Sequence, residues 1–144
     1  MLANSPIVAV LPATDMERAR SFYEDKLGLR RLPSEPSEEL LFEAGVGTLL
    51  LVYRRDVPTK AEHTVAGFMV DDIEQVVEYL NSVGIHMEQY DLPGIKTDER
   101  GISEREGAKS AWFTDSEGNI IAIVEGVLVS AGVSARQRAH AAGT

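Results

Sequence analysis

The chain has 144 residues, 44% apolar and 26% charged, with a net charge of −9 and no cysteine. That size and mixture fit one soluble globular domain and exclude a disordered chain. The acidic balance repels phosphate backbones and anionic lipid, so neither nucleic acid nor a membrane is an expected partner, and the absence of thiols removes disulfides, thiolate metal sites and a cysteine nucleophile.

Residues 7–11 are apolar, short and stopped by Pro12, the pattern of a buried strand. Thr14, followed three residues on by Glu17, reads as a capping box. Met16, Ala19, Phe22, Tyr23 and Leu27 then recur at helical spacing, and Gly28 supplies the left-handed residue that stops the helix. Residues 29–32 are a candidate second strand and 33–37 a loop. Residues 40–44 and 48–53 read as two strands about the turn Gly45-Val46-Gly47, and 54–62 as a polar linker. No signal peptide is recognised at the start, and no apolar stretch approaches the roughly 20 residues needed to span a bilayer, so the expected location is the cytoplasm.

The pattern then starts again. Residues 64–70 are strand-like, Asp71-Asp72-Ile73-Glu74 offers a second N-cap, and Ile73, Val76, Val77, Leu80 and Val83 form a second apolar helical face ended by Gly84. Residues 85–90 read as a strand. Residues 111–114 and 119–125 read as a hairpin around Asp115-Ser116-Glu117-Gly118. When Val8 is laid on Val65, Ala9, Asp15 and Glu17 fall on Ala66, Asp72 and Glu74, and Phe22 falls on Tyr79. One supersecondary unit is used twice. The polar stretch 91–110 is expected to be a long loop, a candidate lid. The tail 127–144 is expected to be a terminal arm or a docking segment.

These residues carry a family likeness. Val8-Ala9-Val10-Leu11-Pro12-Ala13-Thr14-Asp15-Met16-Glu17, with Phe22-Tyr23 and Leu27-Gly28-Leu29, resembles the opening of vicinal oxygen chelate proteins: the glyoxalases, ring-cleaving dioxygenases and bleomycin-resistance proteins. Ala111-Trp112-Phe113-Thr114-Asp115-Ser116-Glu117-Gly118-Asn119 is similar to the family's closing hairpin, and Val70-Asp71-Asp72-Ile73 to the start of its second module. The resemblance implies an α+β fold: two βαβββ modules forming a curled mixed sheet around a central pocket, with the helices outside. It implies one domain over residues 1–126, with modules at 5–56 and 62–126, and a homodimer. Function is left open, because the family includes lyases, isomerases, dioxygenases and non-catalytic binders.

In metal-dependent members the resemblance places ligands on the first and last strands of each module. Those positions fall on Val8, Leu50, Val65 and Ala122. All four are hydrocarbon, so no metal and no cofactor are expected, and a one-residue slip of register brings in only further apolar residues. Phe42, Leu50, Val65, Tyr90, Trp112 and Ala122 are the expected ligand-binding residues of a metal-free protein that sequesters a drug or metabolite. The alternative is a glyoxalase- or dioxygenase-like enzyme, a lyase, isomerase or oxidoreductase with or without a divalent metal, with His63, Glu125 or Glu43 as base. Glu43 alternates with Phe42, so only one of them faces inward. Glu125, three residues from Ala122, is expected to face away. His86 and His140 read as surface residues, and Phe22, Tyr23 and Tyr79 as core.

Overall fold

The computed structural model describes residues 1–126. These divide into two units: Met1–Lys60 together with Ser116–Asn119, and Ala61–Asp115 together with the chain from Ile120. The first unit holds strand β1 (Ala9–Ala13), helix α1 (Met16–Arg20) running into a π-helical turn (Ser21–Lys26), and strands β2 (Arg30–Leu32), β3 (Glu39–Ala44) and β4 (Thr48–Arg54). The second holds β5 (Thr64–Met69), α2 (Ile73–Ser82), β6 (Asp91–Leu92), β7 (Ile95–Lys96), β8 (Ser103–Arg105), β9 (Ala108–Thr114) and β10 (Ile120–Glu125).

The internal repeat is visible in the strand order. The first sheet runs β1-β4-β3-β2 and the second β5-β10-β9-β8, each with one parallel pair, β1 with β4 and β5 with β10. The remaining neighbours in both sheets are antiparallel. Neither sheet is closed. The fold is α+β with two modules of one topology.

Each helix covers one face of its own sheet. In the first unit Ala19, Phe22 and Tyr23 are buried with Leu11, Leu40, Phe42 and Val52. The Tyr23 ring lies 5.7 Å from Phe42 and 5.2 Å from Phe22. In the second, Ile73, Val77 and Leu80 are buried with Ala111, Phe113, Ile121 and Ile123. Burial of each such large side chain contributes about 1.5–3 kcal/mol.

Several local expectations are corrected. Asp15, not Thr14, caps α1: its carboxylate accepts from the Arg18 amide at 3.0 Å. Within Asp71-Asp72-Ile73-Glu74, Asp72 is the residue that caps α2, accepting from the Gln75 amide at 3.2 Å. In both cases the aspartate directly before the helix has the extended backbone a cap requires; Glu17 pairs with Arg20 instead of reaching back, and Glu74 pairs with Lys109. Tyr79 is 47% exposed, because it lies off the stripe that Ile73, Val77 and Leu80 form at a spacing of one helical turn. Residues 85–90 build no ladder. Ile85 and Met87 are buried in alternation, but the segment is tied to β9 by a bond from the Glu88 amide to the Trp112 carbonyl at 2.7 Å. The stretch 91–110 is more ordered than a loop: β6 and β7 form a small ribbon, and β8 adds the fourth strand of the second sheet. The tail 127–144 and its His140 lie outside the described residues. Among the described residues no helix is long and apolar enough to cross a membrane.

Candidate functional site

The face of each sheet turned away from its helix is built by the alternate residues of its strands. In the second sheet Ala122 stands opposite Trp112 on one side and Gly67 on the other. Val65 shares that face by alternation with Gly67 along β5. Tyr90 joins through its ring, set edge-on to Trp112 at a centroid distance of 5.4 Å and an interplanar angle of 81°. The structure therefore brings Val65, Trp112 and Ala122 onto one face, with Tyr90 against Trp112. Gly67 is exposed and raises no side chain, so the row Gly67–Ala122–Trp112 steps from nothing to a methyl to an indole. Burial and the nearby Glu88 carboxylate push the Tyr90 phenol above its ordinary value, which keeps it a neutral donor.

In the first sheet the expected positions divide differently. Leu50 pairs with Ala9 and Phe42, while Leu51 pairs with Val10 and Leu41. Leu50 and Phe42 thus belong to the helix side, 6% and 0% exposed, with Phe42 against Tyr23. They are core residues rather than lining of the uncovered face, which instead carries Val10, Leu41, Leu49, Leu51 and Tyr53. The physical reason is the run Leu49-Leu50-Leu51-Val52, in which no polar residue alternates to mark the faces. Val8 lies just ahead of β1, at 40% exposure.

The side chains at the positions where the resemblance expects metal ligands do not fit a metal. Val8, Val65 and Ala122 are hydrocarbon, as are Leu49 and Leu51 on either side of Leu50. A divalent ion requires several nitrogen, oxygen or sulfur donors at about 2.0–2.6 Å. Three carboxylates do converge elsewhere, Asp72, Glu74 and Glu125 within 4.8 Å of one another. Each already serves the start of α2. Asp72 caps the helix, Glu125 accepts from the Ile73 amide at 2.9 Å, and Glu74 pairs with Lys109 at 2.8 Å.

The candidate bases do not converge. His63 is exposed in the chain leading into β5, and His86 is exposed. Glu125 lies on the helix side. Glu43 does stand on the uncovered face of β3, but it is ion-paired to Arg30.

One residue that sequence reading passed over as turn is Glu117. Its side chain is 2% exposed and accepts from Arg18 Nε at 2.7 Å, the Thr14 amide at 3.0 Å, the Asp15 amide at 3.1 Å and the Ser116 hydroxyl at 2.9 Å. Burial pushes this carboxyl up, but the Arg18 guanidinium, the Asp15 amide, Ser116 and the Thr14 amide outweigh burial and hold it at about 2. Asn119 adds a bond to the Pro12 carbonyl at 3.0 Å. The turn 116–119 is thereby fixed to the start of α1. The signal was the Glu-Gly-Asn tripeptide itself, but only the fold reveals its partners. An open hollow of about 500 Å³ lies beside this contact, lined by Asp15, Arg18, Ser21, Phe22, Lys26 and Ser116. Neither sheet face contributes to it, and it includes none of the residues expected to bind ligand.

A search of curated protein sequences gave no match. Solved structures do match. A glyoxalase family protein from Enterococcus faecalis superposes with a TM-score of 0.64 at 23% identity, over 87% of this chain and 100% of that one. The fosfomycin resistance protein FosX from Listeria monocytogenes gives 0.67 at 15% identity, over 88% and 96%. A lactoylglutathione lyase from Agrobacterium tumefaciens gives 0.60 at 24% identity, over 85% and 94%. At these identities the likeness is one of fold. The family model of the Glyoxalase/Bleomycin resistance protein/Dioxygenase superfamily matches residues 7–123, and the chain belongs to that superfamily.

Proposed function

We propose that the protein binds a small molecule without a metal, on the face of the second sheet turned away from α2, formed by Val65 and Trp112 with Tyr90 around the buried Ala122. The observation that carries this reading is the row Gly67–Ala122–Trp112. It places an aromatic wall beside a floor with almost no side chain, and its middle residue, Ala122, stands where the resemblance expects a metal ligand. Sequestration of a drug or metabolite is the activity this arrangement supports best, and the fosfomycin resistance proteins among its structural neighbours make a resistance role a natural one. A cytoplasmic homodimer is part of the reading. The enzymatic alternative requires a base aimed at bound substrate, and Glu43, His63 and Glu125 are paired, exposed or turned to the helix side.

The test is a small-molecule thermal-shift screen of the full chain in the presence of a chelator, followed by quenching of Trp112, the only tryptophan. Stabilising compounds that quench Trp112 with the chelator present support the reading. Compounds that stabilise only with a divalent ion restored contradict it.

A further inference from the structure

We infer that Trp112, Tyr90 and Glu88 form a subsite for a planar organic cation, so that the ligand of the second sheet carries a delocalised positive charge. This rests on the binding reading above and adds the charge of the ligand to it.

Three observations converge. Trp112 and Tyr90 meet edge to face, which presents an aromatic surface whose negative π-face attracts cations. Glu88 is held at the same place from two directions. Its amide donates to the Trp112 carbonyl, and its carboxylate accepts from the Thr114 hydroxyl at 2.8 Å. Thr114 is two residues along β9 from Trp112, so it lies on the same face. Along the 85–90 segment Met87 turns into the core, which places Glu88 and Tyr90 together on the other side. Glu88 is also a carboxylate without an ion-pair partner among the described residues. In the same unit Glu74 has Lys109 and Asp98 has Arg100, so neither of those cations is left to neutralise Glu88.

The surrounding field has the same sign. Lys96, Arg100, Arg105 and Lys109 are the only lysines and arginines of the second unit among the described residues, against a large excess of aspartate and glutamate. Such a field concentrates cations and repels anions. The floor at Gly67 leaves room for a flat ring beside the indole. A compact metal ion would find one carboxylate and two aromatic faces there, too few donors to hold it.

The experiment compares three ligands of one shape, N-methylacridinium, acridine and acridine-9-carboxylate, at pH 8. Binding to the full chain is measured by calorimetry and by Trp112 quenching, with Glu88→Gln and Gly67→Val as variants. The glutamine keeps an acceptor for Thr114, and a Cβ at Gly67 meets Ala122 at 3.6–3.7 Å, ordinary contact, so both variants are expected to fold. The cation is expected to bind about tenfold tighter than the neutral ring, with the advantage fading as salt rises. Glu88→Gln is expected to shrink that ratio several-fold by weakening the cation more than acridine, the aromatic faces keeping the remainder, and Gly67→Val to weaken both. Equal affinity for cation and neutral ring, or a ratio unchanged in Glu88→Gln, overturns the cation subsite while the binding reading stands. Binding of none of the three overturns the cation subsite while the binding reading stands on its own screen, and binding of all three that Gly67→Val leaves untouched overturns both.

Discussion

The Glu117 carboxylate receives the Arg18 guanidinium at 2.7 and 3.1 Å across 99 residues of sequence, and the glutamate is almost wholly buried while the arginine remains half exposed. With the Thr14 and Asp15 amides on the same carboxylate, the closing turn of the second hairpin is locked to the first helix of the chain. The acidic partner is the one with no access to water, so its charge depends on these donors.

That dependence sets a pH window. The Glu117 carboxyl is lowered from 4.5 to about 2 in the folded chain. Its contribution to stability is therefore complete above pH 4.5 and is lost as pH falls from there towards 2. The full contribution is about 3 kcal/mol by proton linkage. Chemical denaturation of the parent chain and Glu117→Gln across pH 2–7 checks this: the gap between the two curves is expected to be widest above pH 5 and to close near pH 2.

Phe42 separates the two roles that an aromatic strand residue can play. It packs under α1 against Tyr23, fully buried. Phe42→Ala is expected to cost about 3–5 kcal/mol of unfolding free energy. A variant still folded at low temperature is expected to bind ligand at the second sheet as the parent does. Denaturation and Trp112 quenching measure the two effects separately.

Two glycines give a steric contrast. Both Gly28 and Gly101 have positive φ, at 73° and 85°. A Cβ at Gly28 meets nothing within 4 Å, whereas at Gly101 it falls 2.5 Å from Met87 Cβ and 3.2 Å from the Glu88 carbonyl. Gly28→Ala is expected to cost about 1–2 kcal/mol, the price of the left-handed backbone alone. Gly101→Ala is expected to cost clearly more and, by shifting Met87 and Glu88, to weaken ligand binding as well. Thermal melts and the acridine series check the pair.

The two helix caps are expected to act independently. Asp15→Ala and Asp72→Ala each remove a side-chain acceptor from a helix start, at about 1 kcal/mol apiece, with additive effects in the double variant because the caps share no partner. Urea denaturation of the single and double variants decides it.

The parts of the architecture legible in the sequence were those with a periodic signal. The stripes Ala19-Phe22-Tyr23 and Ile73-Val77-Leu80, the stop glycines and the repeat of Val8-Ala9 in Val65-Ala66 gave the helices and the unit used twice, and the family resemblance supplied the α+β arrangement of its sheets. The face of the first sheet was not legible, because Leu49 to Val52 contains no alternation and Leu50 could be assigned to either side. In the second sheet Ile121-Ala122-Ile123 alternates bulky aliphatic residues with a small one, and Trp112, paired with Ala122, shares its face. Glu117 and Glu88 were illegible for another reason. Each owes its role to partners far away in sequence, Arg18 for one and Thr114 for the other.

The central claim is that a metal-free face binds the ligand. Its most direct test is elemental analysis of the purified, untagged full chain before and after incubation with zinc, iron, manganese and nickel. Near-zero occupancy throughout, with ligand binding unaffected by chelator, is the predicted result. A tightly held ion at about one per chain, needed for binding or turnover, would contradict the claim.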